Sequence, residues 1–121
     1  QLADVKLDGC DFRKSRLKNS TLEGVLMRYA NFSDGVWEKD SFLNCSFREA
    51  FLTNLRIAKV ELQNVDLSGA DLFQTVLGKI DLSSCNIEGI RVSESVRELK
   101  EATIDAAQAV VLAKLLGVHV K

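Results

Sequence analysis

Large apolar residues recur at every fifth position from the start of the chain to residue 92. The series runs through Leu2, Leu7, Phe12, Leu17, Leu22, Met27, Phe32, Trp37, Phe42, Phe47, Leu52, Ile57, Leu62, Leu67, Leu72, Leu77, Leu82, Ile87 and Val92. A period of five matches neither the 3.6-residue period of a helix nor the two-residue period of a strand. A regular element must therefore be interrupted once in every five residues.

The residues around each large position indicate a short strand followed by a corner. Two positions earlier the chain is mostly small or apolar, as at Ala30 and Val65, and residues two apart on an extended chain share a face. Two positions later it favours residues that tolerate turns, as at Gly24 and Asn64. The pattern therefore predicts an all-β solenoid wound around an apolar interior.

Three of the units, "ADLFQ" (70–74), "ANFSD" (30–34) and "VDLSG" (65–69), resemble the A(D/N)Lxx motif of the pentapeptide-repeat family. The likeness covers residues 2–92 without a break. It implies a right-handed quadrilateral β-helix with four units in each coil, whereas the period alone does not fix the number of corners. Inward columns would then hold the core residues Leu22, Met27, Phe32, Trp37, Phe42, Phe47, Leu52, Ile57, Leu62, Leu67, Leu72 and Leu77.

The phase breaks after Val92, which divides the chain into a repeat region, 1–93, and a C-terminal region, 94–121. Leu99 follows Val92 by seven residues, so "SESVRE" (93–98) is predicted to bulge out as a two-residue insertion. Alternatively, Ser95 and Glu98 have the spacing of a capping box around one helical turn.

The segment "DAAQAVVLAKLLG" (105–117) predicts a helix from about residue 106 to residue 116. Asp105 suits the N-cap with Gln108 at N3, and Gly117 suits the position after the helix. A helix that is apolar nearly all round is buried on more than one side. One side would seal the end of the solenoid. The quinolone-resistance branch of the family implies that the other side forms a homodimer. The residues involved would be Ala107, Val110, Val111, Leu115 and Leu116, and "VHV" (118–120) could add a short strand.

Composition narrows the choice of function. Sixteen basic and seventeen acidic residues give a net charge of −1, which does not favour nucleic acid or an anionic membrane as a direct partner. No apolar run has the length of a membrane span, and no signal peptide is visible. Three cysteines without a C-x-x-C spacing indicate reduced thiols and a cytoplasmic location. Gln1 in place of an initiator Met indicates a fragment or a processed product.

The residues that could carry chemistry have simpler interpretations. Cys10, Cys45 and Cys85 occupy small inward positions as apolar fillers. His119 is the only histidine, so no metal or nucleophile constellation can be assembled around it within one chain. We therefore expect no enzyme and no cofactor. Asp40 also occupies an inward position, where its carboxylate is expected to accept backbone N–H groups.

Surface positions favour a protein partner. Phe51 and Phe73 break the rule that outward residues are polar, and Asp66, Asp71 and Asp81 are candidate outward acids. The family resemblance implies a DNA-mimic rod that binds type II topoisomerase (gyrase) and is linked to fluoroquinolone resistance. Residues 1–93 hold twelve basic and thirteen acidic side chains, whereas a DNA mimic calls for a strongly negative face. The alternative is a structural or regulatory scaffold with a different protein partner.

Overall fold

The computed structural model describes all 121 residues as a stack of coils followed by one α-helix. Strands are only two or three residues long because a corner interrupts the chain at every fifth residue. In chain order the elements are β1 (Leu2–Ala3), β2 (Arg16–Lys18), β3 (Thr21–Glu23), β4 (Val36–Glu38), β5 (Ser41–Leu43), β6 (Arg56–Ala58), β7 (Glu61–Gln63), a 3-10 helix (Arg97–Leu99) and α1 (Ala106–Leu115).

Each coil pairs in parallel with the next coil at an offset of 20 residues, so that Leu2 lies opposite Leu22. One side of the stack is the sheet β1-β3-β5-β7 and another is the sheet β2-β4-β6. Two further sides are held by ladders of single bridges, which begin with the pairs Lys6–Leu26 and Asp11–Asn31. Four ladders make a four-sided β-helix, as the family resemblance implied.

We number the sides by their residues in the first coil. Face 1 begins with residues 1–5, face 2 with 6–10, face 3 with 11–15 and face 4 with 16–20, and each recurs every 20 residues. Successive coils are separated by the strand-pairing distance of about 4.8 Å. Residues 20 apart therefore form columns that run along the rod.

The corners require left-handed backbone. Every corner residue from Asp4 to Gly89, except Ser84, has a positive φ. Glycine, asparagine, aspartate and Ser84 were predicted to form the bends there, and Ser84 alone lacks the left-handed φ. The structure adds residues that seldom adopt this conformation, such as Tyr29 (φ 61°) and Glu49 (φ 55°). The stacking of coils imposes the bend even where the side chain does not favour it.

The interior is apolar and close-packed. Eleven of the twelve core residues predicted above are buried, and Ile57 is half-buried. Trp37 is 2% exposed and lies among Phe32, Phe42 and Phe47, with ring centroids 4.7 to 5.7 Å apart. Gly35 lies beside this cluster, where an added Cβ would come within 2.7 Å of the carbonyl oxygen of Ser15. Only glycine therefore fits at position 35 without a backbone shift.

The last coil contains the predicted two-residue insertion. The amide of Leu72 donates to the carbonyl of Arg91, 19 residues later, but the amide of Leu77 donates to Glu98, 21 residues later. The capping alternative is wrong, because Val96 precedes the 3-10 helix and no side chain caps it. At the corner of Gln74, the insertion displaces the backbone carbonyl that would accept the Gln74 amide, and a side-chain oxygen accepts it instead.

That side chain belongs to Glu98, which is fully buried. Its carboxylate accepts from the amide of Gln74 (2.9 Å) and from the amide and hydroxyl of Ser93 (3.1 and 2.8 Å). Burial alone would raise the pKa of Glu98, but these hydrogen bonds outweigh it and hold the pKa below its ordinary value. The ionised carboxylate thus closes the gap that the insertion opens.

Helix α1 covers the end of the last coil. Asp105 and Gln108 form the predicted capping box, and Gly117 follows the helix with a φ of 79°. The predicted strand at 118–120 is absent: these residues belong to no strand and are exposed.

Candidate protein-binding surfaces

The side chains with potential for catalysis lie apart. Cys45 and Cys85 are buried fillers, and burial raises the pKa of both thiols, which makes them poor nucleophiles. Cys10 is half-buried and His119 lies exposed beyond α1. No group of His, Cys, Asp or Glu side chains is arranged to hold a metal ion.

Asp40 lies inside the rod, 1% exposed. Its Oδ1 accepts the amide of Ser20 at 2.8 Å, but its Oδ2 is buried without a partner. Thr75 has the corresponding role in a later coil, where its hydroxyl accepts the amide of Leu55 and donates to the carbonyl of Leu52. An ionised carboxylate has no proton to donate, so Asp40 can accept the amide of Ser20 but cannot donate to a carbonyl as Thr75 does.

The four sides of the rod differ in charge, which the balanced total conceals. Face 1 carries Asp4, Glu23, Glu61 and Asp81, all exposed, and no lysine or arginine. Asp81 accepts the amide of Ser83 at 2.9 Å, and hydrogen bonds from Ser83 hold its pKa below the ordinary value. Face 1 is therefore an acids-only surface that extends along the rod.

Faces 2 and 3 carry mixed charges that partly pair. Arg28 contacts Asp8 at 2.6 Å across one coil, and Arg13 contacts Asp11 at 2.8 Å within one unit. The guanidinium of Arg13 lowers the pKa of Asp11 to about 2. These two sides present no uninterrupted charge of either sign.

The three acids selected from the sequence lie on three different sides. Asp66 belongs to face 2, Asp71 to face 3 and Asp81 to face 1. Each carboxylate accepts the amide two residues later, at Ser68, Phe73 and Ser83 respectively. Their shared role is therefore local support of the turn, and only Asp81 belongs to the acids-only surface.

Phe51 and Phe73 both lie on face 3, where they are 43% and 45% exposed. They sit one coil apart in different columns, and the aromatic contacts of the molecule all lie in the interior. The two rings form separate apolar points on this side.

The predicted helix residues divide into two groups. Val111 and Leu115 are half-buried and pack, with Leu112, against the last coil. Ala107, Val110 and Leu116 are exposed, Leu116 to 55%. Val118 and Val120, which follow the helix, are also exposed.

Sequence reasoning missed the second role of Gln108, which is buried. Beyond closing the capping box, its side-chain nitrogen donates to the carbonyls of Leu82 (2.7 Å) and Cys85 (2.8 Å) in the last coil. Glu98 was also missed as a buried residue. The break of phase at residue 92 marked its neighbourhood, but nothing in the local pattern showed that its carboxylate turns inward.

A four-sided parallel β-helix built from five-residue units and closed by one helix defines a class of solenoid. The chain belongs to the pentapeptide-repeat family. The family model, described as pentapeptide repeats (8 copies), matches residues 1–35, 41–74 and 52–89. No curated protein matches the sequence. None of its helices is long and apolar enough to cross a membrane.

Several solved structures are similar to this chain. A trypsin-treated form of QnrB1, described as a plasmid-mediated fluoroquinolone resistance protein, is 16% identical with a TM-score of 0.50; the alignment covers 100% of this chain and 90% of that one. HetL, a pentapeptide repeat protein involved in heterocyst differentiation regulation in the cyanobacterium Nostoc, is 18% identical (TM-score 0.37, covering 81% and 48%). A pentapeptide repeat protein from the Arabidopsis thaliana thylakoid lumen is 19% identical (TM-score 0.29, covering 93% and 87%). At these identities the likeness is one of fold.

Proposed function

We propose that the protein is a non-catalytic, protein-binding rod that binds a type II topoisomerase such as gyrase in place of DNA. The observation that carries this proposal is the acids-only surface of face 1, formed by Asp4, Glu23, Glu61 and Asp81. Enzymes that bind duplex DNA present basic surfaces to it, and a narrow rod with one negative side fits such a surface. The description of QnrB1, a structural neighbour, as a fluoroquinolone resistance protein also supports this proposal.

The spacing of these acids predicts moderate affinity. Face 1 carries four carboxylates over four coil steps, which is about 19 Å. Duplex DNA carries one negative charge for each ~1.7 Å of its axis. Charge alone therefore makes the rod a weak substitute for DNA, and the flat, narrow shape of the coils must supply the rest of the binding free energy.

The exposed residues of α1 complete the proposal. Exposed apolar side chains lie on α1 at Val110 and just beyond its end at Leu116, Val118 and Val120, and together they offer an apolar surface. Two copies paired through this surface would form a homodimer with the rods directed away from each other. A dimer would double the length of acidic surface available to the enzyme.

A gyrase supercoiling assay tests the proposal. We expect the wild-type protein to inhibit supercoiling, and the variant Glu23→Gln, Glu61→Gln, Asp81→Asn to inhibit at least about tenfold less well. The matched control Asp34→Asn, Glu49→Gln, Glu88→Gln removes the same charge from faces 2 and 3 and should inhibit like the wild type. Equal inhibition by all three proteins would contradict a role for face 1.

The alternative, a structural or regulatory scaffold for another protein, is favoured by Phe51 and Phe73. Both rings are exposed on face 3, away from the acids-only surface. If this alternative holds, the wild-type protein leaves supercoiling unchanged and a Phe51→Ser, Phe73→Ser variant loses its cellular partner in a pull-down.

A further inference from the structure

Face 4 is the opposite of face 1 in charge. Between residues 16 and 80 its surface bears six exposed cations, and its one outward acid, Glu38, is half-buried. The cations are Arg16, Lys18, Lys39, Arg56, Lys59 and Lys79.

None of these six cations is in an ion pair. The salt bridges of the molecule join Arg13 to Asp11, Arg28 to Asp8 and Lys114 to Glu88, all away from face 4. Lys39, Lys59 and Lys79 occupy one corner column at successive coils, about 4.8 Å apart along the rod. This column places like charges side by side. Glu61 and Asp81 border it near Lys79, and Glu101 follows Lys79 at the next corner, but none of these acids forms an ion pair with the column.

The residues between the cations indicate whether face 4 suits a nucleic acid or an acidic polypeptide. Val36 is half-buried, Ala58 is exposed and Val76 is 61% exposed on the same side. Nucleic-acid surfaces interleave their cations with aromatic rings for stacking or with hydroxyl and amide groups for phosphates. Aliphatic residues instead suit a polypeptide that presents carboxylates next to aliphatic side chains.

The spacing of the column suits a helix. The coil repeat of about 4.8 Å is close to the helical pitch of about 5.4 Å. In a helix that lies parallel to the rod, the side chains at i, i+4 and i+7 therefore match the positions of three successive coils along the axis to within about 1 Å. An extended strand that ran along the rod would present a residue on the same side every ~6.6 Å, which does not match the coil repeat of about 4.8 Å.

We propose that face 4 binds an amphipathic helix of a partner protein, laid along the rod axis. The acidic stripe of that helix contacts Lys39, Lys59 and Lys79, and its neighbouring aliphatic stripe packs on Val36, Ala58 and Val76. A second copy of this chain does not supply the helix, because the only charged residue of α1 is Lys114.

The test uses synthetic helical peptides of about four turns. In the first peptide, glutamates recur at i, i+4, i+7 and i+11 and a leucine follows each glutamate; the second has the same composition in scrambled order. Fluorescence anisotropy with the full chain should give the ordered peptide at least a tenfold lower Kd. The Kd should rise with ionic strength, since the contacts are exposed charges.

Matched variants locate the site. Lys39→Gln, Lys59→Gln, Lys79→Gln should raise the Kd for the ordered peptide at least tenfold, and glutamine is tolerated at such a corner because Gln74 already occupies one with a φ of 65°. Lys6→Gln, Arg48→Gln, Arg91→Gln removes the same charge from faces 2 and 3 and should bind like the wild type. Equal Kd values for the two peptides, or for the wild type and the corner variant, would overturn the proposal. Tighter binding of a short DNA duplex than of the ordered peptide would assign the face to nucleic acid instead.

Discussion

Single residues carry the bends of this rod, and many of them do so against their own preference. A left-handed φ costs an ordinary residue about 1–2 kcal/mol, yet Tyr29, Lys39 and Glu49 adopt it at the corners. The sequence predicted corners where Gly, Asn or Asp occurs, because those residues tolerate the conformation locally. It could not identify Tyr29 or Glu49 as corner residues from their type, since the paired coils on either side impose their backbone.

Asp40 has a buried carboxylate oxygen, Oδ2, without a hydrogen-bond partner. Asp40→Asn keeps the oxygen that accepts the Ser20 amide and adds a donor where Oδ2 has no partner. We expect the free energy of unfolding to rise by about 1–3 kcal/mol, the usual cost of an unsatisfied buried polar group. Urea titration should show a higher midpoint with an unchanged slope. The exposed control Asp34→Asn should leave the midpoint in place, and a lower midpoint for Asp40→Asn would contradict this account.

Glu98 makes the last coil sensitive to acid. Its pKa is lower in the folded protein than in the unfolded chain, so its stabilising contribution is complete above the unfolded value of about 4.3 and is lost as the pH falls through the folded value. Glu98→Gln should lower the free energy of unfolding by about 1–3 kcal/mol at neutral pH. Unfolding curves measured from neutral to acidic pH should show the two proteins converge as the pH falls. A constant difference across the range would show that the charge of Glu98 is not involved.

At the scale of elements, local rules predicted the two ends of α1 but not how it attaches to the rod. The capping box and the terminal glycine are set by neighbours within a few residues, so the sequence shows them directly. The contact of Gln108 with Leu82 and Cys85 joins residues more than 20 positions apart. It depends on how the insertion at residues 93–98 redirects the chain, which no local pattern encodes.

Gln108→Leu tests this attachment. The change leaves the carbonyl of Cys85 without its donor and removes one of two donors from the carbonyl of Leu82, which still accepts the amide of Cys85. We expect a loss of about 1–3 kcal/mol in the free energy of unfolding. Hydrogen exchange should show faster exchange of the α1 amides with little change in β3 to β7. The control Lys114→Gln breaks only an exposed ion pair of 3.7 Å, worth less than about 1 kcal/mol. Protection of α1 that survives in Gln108→Leu would show that apolar packing alone holds the helix.

At the scale of the whole molecule, the period of five was sufficient to predict a solenoid, and the family resemblance supplied its four sides. The distribution of charge was harder to see. It emerges only when residues 20 apart are placed in columns, because adjacent residues in the sequence lie on alternate sides of a strand or beyond a corner. The total charge of −1 therefore gave no sign of one acidic side and one basic side.

The assembly is predicted to be a homodimer joined through the exposed surface of α1. Leu116→Asp should yield a folded monomer, because Leu116 is 55% exposed and does not support the rod. Light scattering should give twice the chain mass for the wild type and the chain mass for the variant. Phe51→Asp, which places the same charge on face 3, should remain dimeric. A wild-type chain that is monomeric at high micromolar concentration would refute the dimer.

The 20-residue register also constrains how such a chain can lengthen. Gain of one five-residue unit would keep every large residue inward, and the core would accept it. All later residues would nevertheless move on by one side. After a gain between Lys59 and Glu61, Lys79 would pass from face 4 to face 1, and Glu61 and Asp81 would pass from face 1 to face 2. Each side keeps its charge only if units are gained or lost four at a time. The surface, more than the interior, therefore determines which duplications and deletions this repeat can tolerate.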